Sequence, residues 1–128
     1  NIDIIQLRRR NIWKRYHDAF FSELSCFGIG LPNIPEWATN NAHMYYFVTG
    51  SLDQRSRLID WLKADDIHAV FHYLSLHASP YFSPYHDGRQ LPNCDRFSDC
   101  LVRLPLFFEL DDHDVDRIID SVLAFFRK

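Results

Sequence analysis

The stretch AVFHYLSLH, Ala69–His77, decides how the middle of this chain is read. With the preceding His68 it gives HAVFHY, rich in the β-branched and aromatic side chains that favour a strand. After Tyr73 that pattern dissolves, so the predicted strand over 68–73 ends where a different kind of segment begins. The stretch also carries His72 and His77, five residues apart. In extended backbone an odd separation puts two side chains on opposite faces. A bend after Tyr73 is therefore needed to bring them together. Three roles are open for them: hydrogen-bonded core rings, metal ligands, or groups of a binding site.

Working outward, HMYYFVT (43–49) reads as another strand, and Gly50 with Ser51 turns the chain. Residues 53–65 then form a helix that buries Leu58, Ile59 and Leu62, with Trp61 beside them. This strand–helix–strand order resembles a crossover unit without fixing the strand directions. Upstream, Ile5, Ile12, Tyr16, Phe20, Leu24 and Phe27 fall at helical spacing, predicting one long helix over 1–26. Asp3 is its one candidate cap, and a helix that opens without a start signal is what a piece of a longer chain would show. Arg8, Arg9, Arg10, Lys14 and Arg15 spread around that helix, as on a solvated surface. Gly28, Gly30, Pro32 and Pro35 end it.

Downstream, SLHASPYFSPYHDGRQLPN holds three prolines, two histidines and three aromatics. A loop of this length inside a domain is usually functional or disordered, and its aromatics argue against plain disorder. A short helix is expected over 93–102, with Cys94, Phe97 and Leu101 on one face. RLPLFF (103–108) follows as an extended piece in which Pro105 forbids a central ladder position. The last helix is the clearest. Asp111 caps it, Asp114 favours its first turn, Leu110 and Val115 are placed as a staple, and Val115, Ile118, Ile119, Val122 and Phe126 form its apolar stripe.

Composition narrows the function classes. The 128 residues make one domain, with 16% aromatic side chains. A net charge of −3 argues against nucleic acid as the main partner, since phosphate backbones need a basic face. No run approaches the roughly 20 apolar residues of a membrane span. The first ten residues lack an apolar leader core. Cys26, Cys94 and Cys100 match no disulfide framework or zinc motif, which suits a reducing, cytoplasmic setting.

The chemistry-bearing residues give few motifs. Seven histidines are present, yet no H-x-x-x-H or C-x-x-C pattern accompanies them, so no metal site is expected. Cys94 with His77 or His86 is a conceivable nucleophile pair, but Cys94 and Cys26 suit apolar helix faces better. Asp65–Asp66 and Asp111–Asp112 read as helix ends. No glycine-rich phosphate loop exists. His72 and His77 stand where a strand meets a long aromatic loop, a usual place for binding groups. Imidazole both donates and accepts, which suits hydroxyl or phosphate recognition. The residues alone leave core and binding roles both open, and a stand-alone binding or interaction module is an available reading.

NAHMYYF (41–47), AVFHYLSLH (69–77) and RLPLFFEL (103–110), in this order, resemble the C-terminal part of the DegT/DnrJ/EryC1/StrS aminotransferases, and RRRNIWKRYHDAF (8–20) is similar to that family's linker helix. The resemblance covers nearly all of the chain. It implies an α+β fold, the small C-terminal domain of a type I aminotransferase, with a small, mainly antiparallel sheet packed by helices and preceded by a long linker helix. Residues 1–27 would be the linker helix and 28–128 the small domain, with the large pyridoxal-phosphate (PLP) domain absent. It further implies a homodimeric enzyme that moves an amino group from glutamate to a 4-keto-6-deoxy nucleotide sugar through PLP. Lys14, Lys63 and Lys128 all lack the family's Ser-x-x-Lys context, so this chain is expected to hold no PLP and no catalytic residue. His72, then His77, then Tyr73 are the implied substrate contacts. The family often has proline where this chain has Ser75, so the resemblance places His77 less firmly than His72.

Overall fold

The computed structural model describes residues 1–128. Four helices and three strands follow the order α1 (Ile2–Leu24), β1 (Tyr45–Val48), α2 (Leu52–Ala64), β2 (Val70–Phe71), α3 (Pro92–Cys100), β3 (Leu101–Leu104) and α4 (Asp112–Phe126). The sheet order is β1-β3-β2, and β3 runs antiparallel to both neighbours. β1 and β2 are thus parallel, joined through α2, with β3 inserted between them. The fold is α+β, with a small antiparallel sheet packed by helices.

β3 begins two residues earlier than the sequence predicts, because Leu101 and Val102 belong to the strand and not to the helix before it. It is the central strand even though RLPLFF contains Pro105. The ladder stops at Leu104, one residue short of the proline, so no strand hydrogen bond is lost. α3 correspondingly turns Ser98 and Cys100 inward, while Cys94 and Phe97 are exposed. Cys26 is exposed too, at the helix end.

Period-two alternation sorts the sheet residues. Tyr45, Phe47, Val102 and Leu104 point inward and join Ile12, Tyr16, Phe20 and Leu24 of α1, Leu58 and Leu62 of α2, and the Val115–Ile118–Val122–Phe126 stripe of α4. Rings line up through this core: Tyr16 and Phe20 pack against Tyr45 with centroids 5.3 and 5.9 Å apart, and Phe20 and Phe126 lie 6.1 and 6.3 Å from Phe47. Such pairs contribute about 0.5–1.5 kcal/mol each beyond their burial. Four residues of α1 are wholly buried, so this helix is built into the core, and Phe27 past its end is exposed.

The helix ends show why each element stops. Asn1 caps α1, its side-chain oxygen accepting from the Asp3 N–H at 3.1 Å, so Asp3 is not the cap. Gly28, at φ +72, closes the following turn in the left-handed region where glycine is at ease. Ser51 caps α2. That helix ends in a left-handed residue that is not glycine: Asp66, at φ +55, donates to the Lys63 carbonyl, and Ile67 donates to Leu62 at 2.8 Å. Asp111 caps α4, accepting from the Asp114 N–H at 2.7 Å. Part of the basic set on α1 is more than a solvated face. Arg8 and Arg15 each reach Asp112 at 2.7 Å, and Arg15 also pairs with Asp116, clamping α1 to α4.

Candidate functional site

The outer face of the sheet carries the polar residues. Register places Tyr46, Arg103 and Val70 in one cross-strand row. His68 and His72 flank β2 two residues either side of Val70 and so share its face. Arg103 Nη1 donates to His72 Nδ1 at 3.3 Å. That geometry assigns His72 as a neutral ring with its proton on Nε2. Burial, then the nearby Arg103 charge, then His43, all push its pKa below the ordinary histidine value. Tyr73, the next residue, tilts its ring against His72 with centroids 4.5 Å apart and is itself largely exposed.

His77 goes elsewhere. The chain does bend after Tyr73, into a short helical turn over Leu76–Ala78. There His77 Nε2 meets Asp95 Oδ1 of α3 at 2.9 Å, and its ring stands 5.2 Å from that of His86. His72 and His77 are therefore held by different neighbours, one by β3 and one by α3. Ser75 stands at φ −61°, the value a proline would impose, and its Oγ donates to Asp95 at 3.3 Å. The serine thus keeps the bend that proline would stiffen and ties it to the same carboxylate as His77. Around these histidines the loop exposes Leu74, Leu76, Tyr81 and Tyr85.

Beside His72 lies a pocket of about 330 Å³ lined by His43, His68 and Arg103 with Met44, Val70 and Leu106. The sequence reading passed over His43, His68 and Arg103. The alternation around Val70 could have paired His68 with His72, but Arg103 joins them only through the β3 register. A larger cavity of about 530 Å³ lies away from these residues, between α1 and the segment after it, lined by Trp13, His17, Phe21, Ile29, Leu31 and Ile34. His17 stacks on Trp13 there at 4.8 Å, and burial lowers its pKa.

Other candidates are occupied by structural work. Asp111, His113 and Asp114 come within 4.8 Å of one another, but Asp111 caps α4 and Asp114 accepts from Arg117. The three cysteines are free, and no helix is long and apolar enough to cross a membrane. Lys14 pairs with Asp18, Lys128 lies 3.9 Å from the Trp61 ring centre, and Lys63 is exposed. None is a buried amine beside an anion cradle, so these residues do not fit PLP.

Known proteins place this fold. The chain is 27% identical over 118 residues to a pleiotropic regulatory protein of Geobacillus stearothermophilus, covering 89% of this chain and 32% of that one. The aminotransferase TlmJ of Streptoalloteichus hindustanus superposes with a TM-score of 0.82 at 26% identity, over 96% of this chain and 32% of its own. DesV of S. venezuelae shares the fold with a TM-score of 0.87 at 24% identity, over 98% of this chain and 33% of its own. The chain spans about a third of the length of each of these relatives. A profile of the DegT/DnrJ/EryC1/StrS aminotransferase family matches residues 1–123, and the chain belongs to that family.

Proposed function

We propose that this chain is the C-terminal small domain, with its leading helix over 1–27, of a PLP-dependent aminotransferase that moves an amino group from glutamate to a 4-keto-6-deoxy nucleotide sugar. The observation that carries the reading is a fold shared along 96% of this chain with about a third of an aminotransferase. The finer assignment, resting on the sequence motifs, is a cytoplasmic dTDP-4-amino-4,6-dideoxygalactose transaminase of surface-polysaccharide synthesis, working as a homodimer. PLP supplies the carbonyl that takes up an amino group and hands it on. In this reading its anchor lies in a large domain outside this chain, and Lys14, Lys63 and Lys128 take no part in holding it.

In this reading the domain forms one wall of the sugar-nucleotide site. His72, neutral and accepting from Arg103 through Nδ1, keeps its Nε2–H free to donate to a sugar oxygen. Tyr73 offers an exposed ring and hydroxyl beside it. His77, fixed by Asp95, lines the loop further along.

The longer protein that contains this domain is the one to assay, with glutamate and dTDP-4-keto-6-deoxyglucose. Formation of the 4-amino sugar is expected, and its absence removes the substrate assignment. His72→Ala should raise KM for the sugar nucleotide about tenfold, the loss of one hydrogen bond to a bound polar group, while KM for glutamate stays put. Treating the present chain with PLP and borohydride should leave its three lysines unmodified. A stable adduct on any of them would overturn the placement of the cofactor outside this chain.

A further inference from the structure

We propose that the groove between α2 and α4, walled by Trp61, Asp65 and Asp120, is a binding site for a short aliphatic diamine held as its dication. The groove lies on the helix layer and not on the sheet, and its chemistry is independent of amino transfer.

The groove is built by two helices. His113, Asp116, Arg117, Asp120, Ser121 and Ala124 recur every three or four residues along α4, so they form one stripe of that helix. Across from them α2 contributes Trp61 and, one turn on, Asp65. Trp61 Nε1 donates to the Ser121 carbonyl at 3.0 Å, which fixes the indole against α4 before any ligand arrives. The hollow between them measures about 470 Å³, within the range of small-molecule sites.

Three separate observations point to a cationic occupant. The first is unbalanced charge. Arg117 spends its Nε on Asp114 and its Nη1 on the Asp65 carbonyl, and Asp116 is paired with Arg15. Asp65 and Asp120 enter no ion pair and no side-chain hydrogen bond. Asp65 is also the C-terminal cap of α2. The peptide dipoles gather negative charge at that end of a helix, where a cation is favoured and a carboxylate is not. The second is a cation already seated on the aromatic wall: the Lys128 ammonium stands 3.9 Å from the Trp61 ring centre. An indole face attracts an alkylammonium through its quadrupole, and Lys128 shows this face doing so. The third is Ser121, 7% exposed and on the groove stripe, whose Oγ is buried with no hydrogen-bond partner. A buried hydroxyl left unpaired is costly, and a donor pressed into the groove would relieve it.

The mixture of groups selects the ligand. A bare divalent ion needs several oxygen donors converging at short range, and the one such cluster on α4 is Asp111, His113 and Asp114, which is engaged in capping and in binding Arg117. Trp61 and Ala124 instead offer apolar wall, suited to methylene groups. The two unpaired carboxylates stand on opposite helices, so two charges joined by a short apolar stem match them better than one. The stem would lie along Trp61 and Ala124, with one ammonium at Asp65 and the other at Asp120 beside Ser121.

The test is an NMR titration of the present chain with putrescine, read at the Trp61 indole N–H and at the backbone amides of Asp65, Asp120 and Ser121. Butylamine supplies one charge on the same stem, butanediol none, and Nα-acetyl-lysine amide the side chain of a protein partner. Magnesium chloride and sodium chloride control for simple ions. Putrescine should move these signals saturably, butylamine more weakly and butanediol not at all, while the Trp13 and Trp37 indole signals stay still. Asp65→Asn and Asp120→Asn should each weaken binding about two- to fivefold, the loss of one solvent-exposed ion pair. Lys128→Gln removes the internal occupant of the indole face and should tighten binding about two- to threefold. Unchanged core methyl signals certify that the variants are folded. Butylamine or acetyl-lysine amide binding as tightly as putrescine would overturn the diamine assignment. Equal movement by butanediol, saturation by magnesium at lower concentration, unchanged binding by the folded Asp65→Asn/Asp120→Asn double variant, or weaker binding by Lys128→Gln would each overturn the site. Failure here leaves the amino-transfer assay untouched, and failure of that assay leaves this titration readable.

Discussion

Tyr16→Phe removes one oxygen from the middle of α1, and its consequences can be worked out from the fold. Tyr16 is wholly buried, and its hydroxyl donates to the Pro105 carbonyl at 2.9 Å. Phenylalanine keeps the ring and its contacts with Phe20 and Tyr45. What is lost is the hydrogen bond, and what is left is a partly buried carbonyl with no donor. The two effects together should cost about 1–2 kcal/mol. For a urea slope near 1.5 kcal/mol/M that lowers the unfolding midpoint by roughly 1 M without changing the slope. A second signature comes at high pH. Burial raises the Tyr16 hydroxyl well above its ordinary pKa, and the same holds for Tyr45. Above pH ~10 the unfolded chain therefore loses these protons before the folded one, and stability falls by about 1.4 kcal/mol per pH unit for each tyrosine. The wild-type chain falls on account of two such groups and Tyr16→Phe on account of one, so the alkaline limb of the variant should be visibly shallower. Urea titrations at neutral pH and across the alkaline range measure both. Coincident midpoints together with parallel limbs would refute the reasoning.

Two further perturbations test other joints. Asp66→Gly relieves a left-handed residue at the end of α2 and should stabilise the chain by about 0.5–1 kcal/mol, raising the melting temperature by a few degrees; a lower melting temperature would mean that the Asp66 side chain has a role the backbone does not reveal. His17 is held neutral by burial against Trp13, so the unfolded chain protonates first as the pH falls through about 6.5. Stability should drop over that interval and level off once the folded ring protonates, with His72 adding in the same direction. His17→Gln should flatten part of this acid limb, and an unchanged limb would rule His17 out as its source.

The parts of the fold legible in the sequence are those fixed by local pattern. α4 could be drawn almost to the residue, because its 3.6-residue stripe and its Asp111 cap are both short-range signals. The inward residues of α1 and α2 followed from the same periodicity. β3 resisted, since the four residues Leu101–Leu104 are too few to carry a helical or alternating signature of their own. Its place at the centre of the sheet depends on pairing with Tyr45–Val48 and Val70–Phe71, and no local signal reports those distant partners. The outer-face cluster inherits this difficulty. His72 could be singled out by its position at a strand end. Arg103 and His43 could not be joined to it, because the register that juxtaposes them is a property of three strands at once.

That register is strongly determined, for a reason that links core to surface. Val102 and Leu104 face inward and are buried, while Arg103 between them faces out. A slip of β3 by one residue would exchange their faces. It would bury the Arg103 guanidinium in an aromatic core without a counter-ion and expose two apolar side chains, a penalty of several kcal/mol from the charge alone. Tyr16 ties down the same strand at its end, its hydroxyl donating to the Pro105 carbonyl at 2.9 Å. The packing that selects the fold therefore also sets where Arg103 stands relative to His72, His43 and His68. Loosening it from inside should be felt outside: Tyr16→Phe, which touches none of the outer-face residues, should broaden or shift the His72 ring signal, whereas a change equally deep but remote from β3 should leave that signal in place.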